Sequence, residues 1–244
     1  MYSQLNYNLI VKKIDNALTN EVYLDDKIIY KKYLITPFKD AYQNNEIQIL
    51  QILNRSYNFK NNILSYSYIN GYNPQKITKE YLLKCAEAIK KFSKHDFENL
   101  DNQGFIRASK LLGIEQDKII IKGLALLNKK PQVLLHNDLV EGNFIANNDD
   151  DYIIIDFEYG SYGYFLFDIG SFVTERELTK EEETYFLKQF SNINLDDLEI
   201  IKEFLQLFWS KWANYFYLKT HRKIYQEIYQ WKDKELKILL ETKK

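Results

Sequence analysis

The chain has 244 residues, of which 45% are hydrophobic and 27% charged, enough for one large core or two joined lobes. A net charge of −1 argues against any general affinity for nucleic acid or anionic membrane, and a single cysteine beside three histidines excludes an internal disulfide framework and argues against a zinc site. No apolar run approaches the roughly 18 residues of a membrane span and the first residues show no secretory leader, so the reading is of a cytoplasmic protein without membrane insertion.

Residues 9–14, 21–24 and 27–34 read as three short strands, with a tight turn at Asp25-Asp26. The turn over residues 15–20 contains no glycine. In the third strand Ile29 and Lys31 share one face, Tyr30 and Lys32 the other. Residues 39–53 are helical in pattern and put Glu46, Leu50 and Leu53 on one stripe. A carboxylate on an apolar stripe points to a paired charge; a surface Glu at a boundary is the other reading. Residues 63–69 form a further strand, closed by Asn70-Gly71-Tyr72-Asn73-Pro74. Thr78 fits an N-cap for a helix carrying Tyr81, Leu82, Cys85, Ala88, Ile89 and Phe92, in which Cys85 is a small core residue. His95 reads as a helix-end or core histidine. Residues 97–130 divide into two helices, with Gly104, Gly113 and Gly123 as candidate breaks and Pro131 as the stop.

The chemistry is densest in residues 133–158. Apolar runs at 133–135, 143–146 and 152–155 are separated by polar turns, and His136, Asp138, Asn143, Asp156 and Glu158 stand at their ends. Taken singly, each is an ordinary strand-end residue. Jointly, the pattern His-x-Asp-(x4)-Asn followed by a strand ending in Asp supplies what phosphoryl transfer needs. One carboxylate, Asp138, accepts the proton of the attacking hydroxyl; an amide, Asn143, and a second carboxylate, Asp156, hold Mg²⁺ on the phosphates. Beyond this stretch, residues 159–164 read as an aromatic loop, 165–175 as a helix, and 178–191 and 195–240 as helical patterns. Leu205, Trp209, Trp212 and Phe216 recur on one face, which by itself reads as a core stripe.

His136-Asn137-Asp138 with Asn143, then Ile155-Asp156-Phe157-Glu158-Tyr159, resemble the catalytic and metal motifs of the choline/ethanolamine kinase family, within the aminoglycoside-phosphotransferase and protein-kinase-like group. The match continues through Phe167-Asp168-Ile169-Gly170 to Glu175. The wider group usually writes the first motif His-Gly-Asp and lacks the Glu-Tyr of the second, so Asn137 and Glu158-Tyr159 favour the choline/ethanolamine branch. The resemblance implies an α+β, bilobal protein-kinase-like fold. A small N-terminal antiparallel-sheet lobe (1–70) would bind ATP, and a larger, mainly helical C-terminal lobe (71–244) would carry catalysis and the acceptor.

The implied activity is an ATP- and Mg²⁺-dependent phosphorylation of choline, with ethanolamine, and more remotely thiamine or an aminoglycoside, as rival acceptors. In that scheme Asp138 is the base. Asn143 and Asp156 hold Mg²⁺, with Glu158 close to the metal as a further ligand or as support for Asp156, and Lys31, oriented by Glu46, meets the ATP phosphates. Trp209, Trp212 and Tyr225, with Tyr229 as runner-up, wall a quaternary ammonium that has no N–H to donate, and Glu175 supplies the nearby anion. Asp168 is structural and Trp231 is packing. A reading from another class is a non-catalytic kinase-like binding module. The glycine-free loop supports it, and the complete set of chemical residues in 133–158 opposes it. A monomer or a homodimer is left open.

Overall fold

A computed structural model describes residues 12–14, 18–34, 42, 45–98, 100–147 and 151–242. Parts of the expected first strand, glycine-free turn and 39–53 helix therefore lie outside the described residues. The N-terminal part is an antiparallel sheet of strands β1 (Lys12–Ile14), β2 (Asn20–Asp25), β3 (Ile28–Tyr33), β4 (Tyr57–Lys60) and β5 (Ile63–Ser67), in the order β1-β2-β3-β5-β4. Helix α1 (Asn45–Ile52) joins β3 to β4. Strand β4 is an addition to the sequence reading. It forms a hairpin with β5 through Asn61 and Asn62, both at positive φ, a backbone that Asn tolerates better than most residues.

The remainder is mainly helical: α2 (Lys79–Ser93), α3 (Gly104–Leu112), α4 (Lys118–Leu126), α5 (Leu166–Glu175), α6 (Lys180–Leu187), α7 (Leu195–Thr220) and α8 (Lys223–Glu241). Thr78 caps α2 by accepting from the Tyr81 N–H. Helix α7 is the central column and packs against α4, α5 and α8. Most of its length is buried, which is why its apolar pattern runs nearly all round.

Two expectations are corrected here, and a third is refined. Gly123 does not break a helix: it sits inside α4, where a Cβ would come 2.4 Å from the Phe204 ring, so it is the residue that lets α4 and α7 approach. Residues 159–164 are not all loop, because strand β9 (Ser161–Tyr164) pairs with β6 (Gln132–Leu135). The helical pattern over 195–240 divides into two helices. His221 adopts a left-handed conformation (φ 54°) and its N–H bonds to Tyr217, ending α7 so that α8 folds back along it. No glycine or proline marks that turn, so tertiary packing overrides the continuous helical pattern. Among the described residues, no helix is long and apolar enough to cross a membrane.

Candidate active site

Strand β6 delivers the loop 136–143, a short 3₁₀ turn (Glu141–Asn143) closes it, and the hairpin β7 (Phe144–Ala146) and β8 (Tyr152–Ile154) leads to Asp156. Asn143 thus ends the turn rather than opening the strand. The N-terminal segment reaches this hairpin at Tyr72, which exchanges backbone hydrogen bonds of 3.1 and 2.9 Å with Ala146. Gly71 makes that crossing possible, since a Cβ there would lie 2.3 Å from the Ala146 carbonyl.

Asp168, in the first turn of α5, fixes the loop. It accepts from the His136 N–H at 3.0 and 2.9 Å and from the Asn137 N–H at 2.7 Å. Asn137 stands at φ 66°, the left-handed region where the related motif usually has glycine. Its side chain holds that conformation by donating to the Tyr159 carbonyl (2.9 Å) and to Ser161 Oγ (2.8 Å). The result is a rigid platform under Asp138.

His136 is buried. Its Nε2 lies 2.8 Å from the Ile155 carbonyl and its Nδ1 lies 3.3 Å from the Asp138 N–H, which assigns the neutral Nε2–H tautomer. Burial pushes its pKa down from 6.5 to about 4, against the Ile155 hydrogen bond. The unfolded chain therefore takes up a proton below pH 6.5 that the folded chain refuses until about pH 4, and stability falls across that window. The expected loss is roughly 3 kcal/mol by pH 4. Denaturant titrations at pH 6.5 and 4 should show His136→Gln less acid-sensitive than the parent by about this amount; equal sensitivity would contradict a neutral buried His136.

Lys31 points inward from β3 at 2% exposure, while Lys32 faces solvent and pairs with Glu21. Lys31 Nζ lies 3.0 Å from both Glu46 oxygens, 2.5 Å from Asp156 Oδ1 and 3.5 Å from Glu158. Burial opposes its charge, but the carboxylates of Asp156, Glu158 and Glu46 outweigh this and hold its pKa above the ordinary lysine range. Glu46 is 5% exposed; burial raises it to about 7 even with Lys31 against it, and Tyr33 Oη donates to it. Asp138 is half-buried. Desolvation, then the carboxylates of Glu175, Asp156 and Glu158, hold it well above the usual carboxylate range. Lys31, Asp138, Asp156 and Glu158 thus lie within electrostatic reach of one another.

The donor set here fits a hard divalent cation. The Asn143 amide nitrogen donates to the Asp138 carbonyl at 2.8 Å, which leaves its Oδ1 outside that bond, and the Asp156 side chain is 39% exposed. Among the described residues no three His, Cys, Asp or Glu side chains cluster as a metal cage. Mg²⁺ needs no such cage, because one or two protein oxygens suffice when substrate phosphates supply others. Glu158, expected beside the metal, accepts from Thr19 Oγ1 (2.7 Å) and Asn20 Nδ2 (2.5 Å). It tethers the loop that enters β2. The Tyr225 hydroxyl and Arg222 Nη1 hold the same loop by donating to the Leu18 carbonyl at 2.6 and 3.0 Å.

The expected acceptor wall is a buried ladder of edge-to-face rings. Tyr159 meets Trp209 at 5.1 Å, Trp209 meets Trp212 at 5.6 Å and Trp212 meets Tyr225 at 5.6 Å. Trp209 and Trp212 are each 6% exposed, and the Trp212 indole N–H is buried with no partner among the described residues. A pocket of about 300 Å³ is lined by Glu175, Gln75, Ile77, Glu141, Arg176, Glu177 and Trp231, and by none of the ladder's four rings. Trp231, expected as packing, is therefore a wall of this pocket. Sequence reasoning missed Lys232, whose Nζ lies 2.5 Å from Glu175 Oε1. It falls on a stripe with Tyr225 and Leu236, a charge in an apolar series, which is the signal that singled out Glu46.

The family model of the choline/ethanolamine kinases matches residues 66–243. The chain belongs to the choline/ethanolamine kinase family. A probable ethanolamine kinase of Arabidopsis thaliana is 29% identical over 140 residues, which is 48% of this chain and 37% of the plant protein. The chain thus spans well under half the length of this curated relative. The choline kinase LicA of Streptococcus pneumoniae superposes with a TM-score of 0.68 at 19% identity, covering 93% of each chain. A Plasmodium vivax ethanolamine kinase gives a TM-score of 0.68 at 17% identity over 95% of this chain and 81% of its own. At those identities the superpositions establish the fold, a protein-kinase-like architecture with a small antiparallel-sheet lobe and a larger helical one.

Proposed function

We propose that this kinase-family member transfers the γ-phosphoryl group of ATP to the hydroxyl of choline, giving phosphocholine and ADP. The observation that carries the reading is the buried Lys31–Glu46 pair bonded to Asp156, with Asn143 bonded to Asp138 and Asp138 within electrostatic reach of Asp156; the lobes would divide near residue 70. Lys31 contacts the phosphates and Glu46 keeps it in place. Asp138 orients the hydroxyl and takes its proton as the oxygen attacks phosphorus and the bond to ADP breaks. Asn143 and Asp156 would hold Mg²⁺, which when bound neutralises charge on the phosphates. The rigid loop fixed by Asp168 contributes through orientation.

Choline is favoured over ethanolamine by the character of the walls. A primary ammonium brings three N–H donors that need acceptors, whereas a quaternary one is held by aromatic faces, each contributing on the order of 0.5–2 kcal/mol. Trp209, Trp212 and Tyr225 supply rings, and the acceptor oxygens of Glu175 are partly taken by Lys232. The expected result is a kcat/KM about tenfold to a hundredfold higher for choline than for ethanolamine, taking about 1.4 kcal/mol per decade. Trp212→Ala should raise the choline KM more than about tenfold and spare ATP. If Trp212 is core and nothing else, the variant's melting temperature falls and both substrates suffer together. A preference for ethanolamine, the activity named for the plant relative, would overturn the acceptor assignment and leave the phosphotransferase reading intact.

A further inference from the structure

Lys232 takes no part in the phosphoryl transfer itself, yet it is 1% exposed. A lysine is almost never buried so far unless it is paired. Its partners are Glu175 Oε1 at 2.5 Å, the Thr174 carbonyl at 3.4 Å and the Trp231 ring, 4.0 Å below the ammonium. Glu175 is itself nearly buried, with a side chain 9% exposed, and it lines the pocket that Trp231 also walls. Both charges are felt at the proposed base: Glu175 raises the Asp138 pKa and Lys232 lowers it. One buried ion pair thus stands at the pocket and acts electrostatically on Asp138.

Building on the amino-alcohol kinase reading, we propose that Lys232 sets acceptor specificity by holding the charge and one oxygen of Glu175. A free carboxylate at this place would attract any ammonium, and most of all one with N–H groups to give it. With Oε1 engaged, Glu175 offers fewer hydrogen-bond sites and little net charge. Ethanolamine loses partners and choline, which has no N–H, loses almost none. Selection then rests on ring faces and shape. Lys232 acts through Glu175 and is a positioning residue; it has no need to touch the acceptor.

The test compares choline with its uncharged isostere 3,3-dimethylbutan-1-ol at saturating Mg·ATP, in the parent and in Lys232→Met, Glu175→Gln and the double variant. The readout is the choline-to-isostere ratio of kcat/KM, which follows the net charge of the pair. Lys232→Met should raise the ratio about tenfold, Glu175→Gln should lower it about tenfold, and the double variant should return it close to the parental value. If Lys232→Met fails to fold because it strands a buried carboxylate, the rise from Glu175→Gln to the double variant measures the same effect. A purely structural lysine would change both alcohols together and keep the ratio constant, and a constant ratio with measurable turnover overturns the proposal. A parent enzyme that phosphorylates neither alcohol is a different outcome: it overturns the acceptor reading, and this inference with it.

Discussion

Asp138→Asn should lower kcat by about 10²–10⁴ while leaving the KM for ATP nearly unchanged, the loss expected when a positioned acid–base group is removed from a transition state. The substitution preserves shape. It keeps an oxygen for the Asn143 amide, which lies 3.4 Å from Asp138 Oδ2. It also removes a negative charge from a half-buried position facing Glu175, Asp156 and Glu158, all of which raise the Asp138 pKa. Melting temperature should therefore hold or rise as activity collapses. The same neighbours place the acid limb of the parental kcat profile above the ordinary carboxylate range, because the base must be ionised to accept a proton and its ionisation is delayed. Near-parental turnover by Asp138→Asn would mean that another group receives the hydroxyl proton.

Lys31→Ala should cost about 10²–10³ in kcat/KM for ATP, with the KM for choline little changed. It should also destabilise the fold by about 3–5 kcal/mol, because Glu46 and Asp156 both lose the cation between them. Part of that loss should fade as the pH falls and Glu46, already raised to about 7, takes up a proton. Lys32→Ala is the control. Its ammonium sits on the solvent side of β3 against Glu21, so neither activity nor melting temperature should change measurably. The reverse outcome would mean that the inward face of the strand has been assigned backwards.

Much of this site was legible because its chemistry is local in the chain. Asp138, Asn143 and Asp156 lie within one hairpin and its approach, and strand alternation places Lys31 inward without any tertiary information. Glu46 was legible from helical spacing, which puts a carboxylate on an apolar face and so requires a partner. Lys232 carries the same signal but lies beyond His221, where a helical run without glycine or proline hid the turn that brings α8 back to Glu175. The tether from Thr19 and Asn20 to Glu158 joins positions more than a hundred residues apart and leaves no mark on either segment. The rings of Trp209 and Trp212 were legible as a stripe; periodicity alone cannot tell a ring that packs from a ring that lines.

The most direct test of the central claim is ³¹P NMR of the protein with ATP, Mg²⁺ and choline. The account predicts that the γ-phosphoryl signal of ATP declines while a phosphomonoester and ADP grow in equal amounts, and that omitting choline or substituting Asp138→Asn suppresses all three changes. ATP that stays intact with choline and ethanolamine alike, or ADP that accumulates with inorganic phosphate and no phosphomonoester, would contradict it.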